Sequence, residues 1–458
     1  MAFSSAAFVF VFLPLVFLLH CVIRNQSGRN ILLVIASLFF YSAGSLIHLP
    51  LLIGVALINY FAGLLFQKNG RRKKPVLVIT LLLNIGSLVV FKYLGFFGTA
   101  INDIFGSALQ VPAIALPIGI SFFTFQGLSY AIDVYRKPDS GTRSFFTVLL
   151  YLSFFPQLVA GPIVKYHDVA QQIQHREVTV EKAAQGCRRF IVGLSKKLLI
   201  ADILATAVDT VYGQGVTDVR LSLVAGLCYA LQIYFDFSGY SDMAIGMGQM
   251  FGFRFLENFD YPYTAGSVRN FWQRWHISLT SWFREYLYFP LGGNRKGLRR
   301  TCINVMIVFL CTGFWHGANW TFVLWGIWHG LWSVLERATP LKKVSGKAIG
   351  HIYTLVVVFL GFMLFRAESV GQAAAVIGAI FTGKTAQSGQ VLLHNILSVK
   401  VILATAAGCL LSTGIQKKLF SRLGRLQFVT YVGALLLLAL CILRLASASF
   451  NPFIYFQF

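Results

Sequence analysis

The sequence predicts an all-α polytopic membrane protein, and three observations lead there. Of 458 residues, 57% are hydrophobic and only 12% are charged, against roughly 25% charged in a soluble domain. Mean hydropathy is +0.69. The apolar residues, rich in Leu, Val, Ile and Phe, form long runs near the roughly 20 residues that a helical span needs. The alternating polar pattern of a barrel strand does not occur.

The net charge of +23 is not the footprint of a nucleic-acid binder. Basic residues stand in separate clusters between apolar runs, such as Lys68/Arg71/Arg72/Lys73/Lys74, Arg295/Lys296/Arg299/Arg300 and Lys417/Lys418/Arg422/Arg425. That spacing follows the positive-inside rule. The partner implied by composition is the lipid bilayer, with no nucleic acid. The seven Cys show no C-x-x-C spacing and read as small buried hydrophobes, so no metal is expected.

With every basic cluster on the cytoplasmic side, the elements follow in order. Residues 2–22 lack a basic n-region and a small-residue cleavage site, so they read as a first span and not as a cleaved signal. Spans at 31–47, 51–67, 75–97 and 114–135 then alternate in direction. The stretch "SFFTVLLYLSFFPQLVAGPI" lies between two basic loops, 136–143 and 165–197, and is broken by Pro156, Gly161 and Pro162. It must enter and leave on one face, as a re-entrant segment buried in protein does. Spans at 198–212 and 220–250, a hairpin at 301–336, and spans at 348–366, 399–416 and 426–446 complete about twelve crossings of typical length. Both termini then lie outside, and residues 1–458 form one domain without repeats. Residues 447–458 form an extracytoplasmic tail. Residues 265–289, with Phe271, Trp275, Leu279, Trp282 and Tyr286 at helical spacing, read as one amphipathic helix on the cytoplasmic side.

Polar groups inside a membrane protein are costly and are functional candidates for that reason. Three places stand out. "TGFWHGANW" forms the turn of the 301–336 hairpin, with His316 its only titratable group beside Trp315 and Asn319. Arms of about 16 residues are short for a bilayer core of about 30 Å, which would place His316 at depth in a thinned interior. Residue type alone leaves His316 either a proton acceptor or a histidine satisfied by a carbonyl at a helix end. "NFWQRWHISL" carries Arg274, Trp275 and His276, as a site or as an interfacial anchor. "YFDFSGYSDMAIG" carries Asp236, Ser238 and Asp242; both acids need partners from elsewhere, for a substrate pocket, a proton path or a structural network.

These stretches, with "LPIGISFFTFQGLSYAIDVYR" (117–136) and "FFPQLVAGPI" (154–163), lie in the order found in the membrane-bound O-acyltransferases. The chain resembles most the bacterial branch that acetylates alginate and peptidoglycan and D-alanylates teichoic acids. The likeness spans nearly the whole sequence. It implies a ring of helices around a thinned centre, where a cytoplasmic pocket for an activated acyl donor meets an extracytoplasmic funnel. It implies that His316 of the W-H-G turn is catalytic and that His276 of R-W-H-x-S is the second essential position. Trp315, Asn319, Asp236, Ser238, Asp242, Arg274 and Trp275 become donor or substrate pocket candidates. The tail "FIYFQF" matches an F-x-Y-x-x-F-like motif, whose tyrosine, here Tyr455, would relay the acyl group. An aromatic interfacial anchor is the other reading of that tail. No bound cofactor is implied, with acetyl-CoA or another acyl thioester as cosubstrate. The partner implied is a separate extracytoplasmic acetyltransferase of SGNH-hydrolase type, and the location is a bacterial inner membrane. D-alanyl transfer from a carrier protein stays open, as does, from a different class, a proton-coupled transporter or flippase.

Overall fold

The computed structural model describes residues 2–68, 73–112, 114–215, 217–339, 341, 346–415, 427–447 and 453. Among these there are helices and no strand. Six helical stretches are long and apolar enough to cross a membrane: Gln26–Gln67, Lys73–Phe105, Val219–Met250, Gly297–His316, Ala348–Arg366 and Phe428–Ser447. Shorter apolar helices, among them Phe8–Val22 and Val370–Thr382, add to them. The chain divides into two compact units, Met1–Phe190 with Ser241–Leu256, and Ile191–Tyr240 with Glu257–Phe458.

The first unit packs its aromatic residues tightly. Phe155 lies 5.3 Å from Phe12, 5.9 Å from Phe40 and 5.8 Å from Phe251, ring centre to ring centre. The Pro-broken stretch forms two short helices, Phe145–Ser153 and Phe155–Leu158. Nine residues rise only about 13 Å, far less than a bilayer core. Pro156 sits in the first turn of the second helix, where a missing N–H leaves no bond unmade. Everything from Val148 to Tyr166 is buried. Its backbone is tied down from several sides: Phe155 N–H donates to Ser37 Oγ at 3.1 Å, and the Tyr151 hydroxyl donates to Val164 O at 2.9 Å. That is how buried irregular backbone meets its hydrogen-bonding needs. Asp242, one of the two acids of the 220–250 stretch, belongs here and pairs with Arg189 Nη2 at 2.9 Å.

The second unit is built on the hairpin. Its arms, Gly297–His316 and Trp320–Ala338, are 20 and 19 residues long, about 30 Å each at helical rise. The arms are thus longer than the sequence indicates, because polar residues such as Arg299 and Arg300 begin the first helix. Arm length therefore gives no reason for a thinned interior. The arms touch backbone to backbone: a Cβ on Gly313 would stand 2.4 Å from Phe322 O, and one on Gly326 2.5 Å from Phe309 O. Only glycine permits that approach. Around the hairpin lies an apolar core that includes Leu204, Tyr229, Trp272, Trp325, Val358 and Phe362.

Other boundaries move as well. The span expected from 114 begins at Ile120, after Gly119 in the left-handed region at φ 74°. The loop read over 165–197 is largely helical, because Val180–Lys196 runs through a π turn, Lys197–Ala201, into Asp202–Gln214. Residues 265–289 are not one helix. They form Val268–Trp272 and Ile277–Phe283, broken at His276. The aromatic residues of the segment's apolar stripe are buried in protein: Phe271 and Trp275 are 1% and 3% exposed. The first of these helices is held by the hairpin, since the Glu336 carboxylate accepts from the N–H groups of Val268 and Arg269. An acidic side chain at a helix N-terminus satisfies otherwise unpaired donors.

Candidate active site

The site forms where the first hairpin arm ends. His316 is the last residue of the Gly297–His316 helix. Asn319 starts the second arm: its Oδ1 accepts from Thr321 N–H at 3.0 Å, and its Nδ2 donates to Glu368 O at 2.9 Å. Both ends of that amide serve the turn, so Asn319 shapes the site and does not reach into it. The His316 ring is buried, 6% exposed, with the rings of Trp315, Trp325 and Phe365 each 5.0 Å away. Trp325 and Phe365 are candidates that the sequence reading missed. Phe365 lies 49 positions from His316 in sequence, on Ala348–Arg366, so no local pattern links them.

His276 also packs against Trp315. Its ring centre is 5.9 Å from that of Trp315 and it is 1% exposed. Its backbone lies in the left-handed region at φ 46°, shared among described non-glycine residues only with Tyr261. Such a conformation strains a side-chain-bearing residue and recurs at functional sites. Two bonds to Asn258 hold it in place. Ile277 N–H donates to Asn258 O at 3.0 Å, and the His276 Nδ1–H donates to Asn258 Oδ1 at 3.1 Å. Ser278 donates to the same Oδ1 through Oγ at 2.8 Å and N–H at 3.2 Å. An amide oxygen only accepts, so the proton sits on Nδ1 and Nε2 is the basic nitrogen. Burial lowers the pKa of His276 to about 3, which keeps the ring neutral.

The ring series continues. Phe237 packs edge-on against His276 at 4.5 Å. Phe453, from the C-terminal tail, lies 6.4 Å from Phe237 and 4.5 Å from Tyr240, and is buried at 4% exposure. Rings therefore run from Phe453 through Phe237, His276 and Trp315 to His316. Tyr455 lies outside the described residues.

The remaining candidates separate. Asp236 is paired: Lys197 Nζ donates to its Oδ1 at 2.7 Å and to Asp202 Oδ1 at 2.8 Å, with Lys197 and Asp236 side chains 3% and 2% exposed. Ser238, a buried neighbour in sequence, has no hydrogen-bond partner for Oγ among the described residues. Arg274 bridges to Asp260 Oδ2 at 3.3 Å. Trp275 is core, stacked on Phe271 at 5.5 Å and against Phe362 at 4.9 Å. Asp242 is held by Arg189 in the first unit.

Residues 33–339 match the profile of the MBOAT, membrane-bound O-acyltransferase, family. The chain belongs to that family. It is a multi-pass membrane O-acyltransferase, which sets aside the transporter alternative. Among similar proteins is the probable alginate O-acetylase AlgI of Pseudomonas putida, 38% identical over 486 residues with 100% of both chains covered. The peptidoglycan O-acetyltransferase of Helicobacter pylori is 36% identical over 82% of this chain and 79% of its own. The teichoic acid D-alanyltransferase of Streptococcus thermophilus is 27% identical over 54% of this chain and 68% of its own. Family membership makes the surroundings of His276 and His316 the natural place to look for acyl transfer.

Proposed function

We propose that this acyltransferase resides in a bacterial cytoplasmic membrane and takes acetyl from a cytoplasmic thioester, acetyl-CoA, for O-acetylation of an extracytoplasmic polysaccharide, alginate-like or peptidoglycan. The observation that carries this reading is the packing of His276 and His316 against one ring, Trp315, with the tail residue Phe453 one ring beyond His276's neighbour Phe237. The full-length similarity to alginate O-acetylases and the similarity to a peptidoglycan O-acetyltransferase support acetyl and polysaccharide over other pairs.

In the proposed first step, His316 removes the proton from an acceptor hydroxyl. The hydroxyl oxygen attacks the thioester carbonyl carbon, the C–S bond breaks, and the thiolate leaves to be protonated. General-base help of this kind supplies roughly 10²–10⁴-fold. His276, neutral and locked by Asn258, orients the donor through Nε2. Trp315, in ring contact with both histidines, lines the reaction site. The acceptor hydroxyl is the phenol of Tyr455, two positions after Phe453 in sequence. A phenol with a pKa near 10 needs a base to attack and leaves readily afterwards. Its acyl ester then passes to a hydroxyl of the polymer on a separate extracytoplasmic enzyme of SGNH-hydrolase type.

The donor test uses the purified chain in detergent, given either labelled acetyl-CoA or a carrier protein charged with labelled D-alanine. Label from acetyl-CoA alone supports the proposal; label from the charged carrier alone overturns it in favour of teichoic acid D-alanylation. For the relay, mass spectrometry of the C-terminal peptide should find acetyl on Tyr455, and a fully active Tyr455→Phe variant would remove that step.

A further inference from the structure

A buried ion triad stands beside the seat of Phe453, and acyl transfer by the histidines leaves it without a task. The ammonium of Lys197 meets the carboxylates of Asp236 and Asp202 at 2.7 and 2.8 Å, among side chains that are largely buried. Buried ion pairs seldom add stability over apolar packing, so their presence asks for another reason. Two features of the surroundings supply one. Lys197 opens the π turn Lys197–Ala201, and such turns inside helices cluster at functional sites. The turn is also pressed close to the Val219–Met250 helix, where a Cβ on Gly239 would lie 2.7 Å from Gly193 O and 3.3 Å from Lys197 N. That approach sets the Lys197 ammonium against the helix face bearing Asp236 and, one turn on, Tyr240. Lys197 Nζ stands 5.8 Å from the ring centre of Phe453, within the range of a cation–π contact. Tyr240 packs against the same ring at 4.5 Å.

We infer that Lys197, steadied by Asp202 and Asp236, is a positioning residue that with Tyr240 and Phe237 clamps the C-terminal segment at Phe453 and so presents it to the histidines. The clamp rests on the relay reading for its purpose but not for its existence, and the two fail separately. The carboxylates hold the ammonium in one place and shield its charge from the membrane interior. The aromatic ring is the ligand. The anchor therefore demands a π face at 453 and a cation at 197, which bulk alone does not satisfy.

The test uses the full-length chain in detergent with fluorophenylalanine at 453, read by fluorine NMR with a soluble paramagnetic probe. In the parent protein the resonance should be displaced from its free position and protected from the probe. Lys197→Met should reduce the seated population roughly 5- to 30-fold, the equivalent of one desolvated cation–π contact, while Lys197→Arg, which keeps the cation, should retain it. A parent resonance already at the free position, or one unmoved by Lys197→Met, overturns the clamp. Because Lys197→Met strands two carboxylates, Phe453→Leu tests the same contact with the triad intact. It should lower the yield of acetyl on Tyr455 by a similar factor, and Phe453→Trp should restore it. An unchanged yield in Phe453→Leu overturns the clamp and leaves the relay standing. A protected ring at 453 with no acetyl on Tyr455 in any variant supports the clamp and removes the relay.

Discussion

His276 bears two costs. Its φ of 46° is a strain on the order of 1–3 kcal/mol for a residue with a side chain, and burial brings its pKa to about 3. The unfolded value is about 6.5. The folded state therefore resists protonation: stability from this group is complete above about pH 6.5 and is lost as pH falls towards 3. Thermal melts of His276→Gln should show a shallower loss between pH 6.5 and 4 than the parent. A neutral His276 also leaves the acid limb of the pH–rate profile to another group. His276→Gln should accordingly lower the plateau rate without moving the limb, and a shifted limb would assign the proton transfer to His276. At this scale the sequence was partly legible. His276 and His316 stand out as titratable groups among aromatics. Asn258, which sets the His276 tautomer from 18 positions away, carries no local signal, because side chains that meet through tertiary packing leave no spacing rule. Lys197 was hidden for another reason: beside Lys196 it reads as the end of a basic loop, and only the π turn reveals it as buried.

Among the elements, the hairpin bears most of the proposed function. Its arms meet through Gly313 and Gly326, so a methyl group at 313 collides with a backbone carbonyl that cannot rotate away. Gly313→Ala should cost about 1–3 kcal/mol as overpacking, more than the roughly 1 kcal/mol gained in helix propensity. The separated arms should also displace His316, so a lower melting temperature and slower transfer are expected together; unchanged values for both would show that the arms have room. Helix existence was readable from apolar runs, as at 220–250, 348–366 and 426–446. Ends were not, because Arg299, Lys196 and Lys197 extend helices beyond the apolar stretch that identifies them. The 265–289 segment shows a deeper limit. Its aromatic spacing is helical, but a left-handed residue in the middle turns one amphipathic helix into two buried pieces, and Asn258 and Glu336, the groups that hold them, come from elsewhere in the chain.

For the whole molecule, the basic clusters predict an orientation. In a cysteine-free background, Arg299→Cys should react with an impermeant thiol reagent only from the cytoplasmic face, and Ser107→Cys only from outside; reversed labelling would invert the donor and acceptor sides. Under the proposed function that orientation serves one chemistry: a hairpin histidine, packed among aromatic rings, acting on a hydroxyl brought by the tail. The most direct test is single-turnover transfer from labelled acetyl-CoA by purified parent and His316→Ala proteins of equal melting temperature. The account predicts a loss of roughly 10²–10⁴-fold in rate with donor binding retained. A His316→Ala protein that transfers acetyl at the parent rate would contradict it.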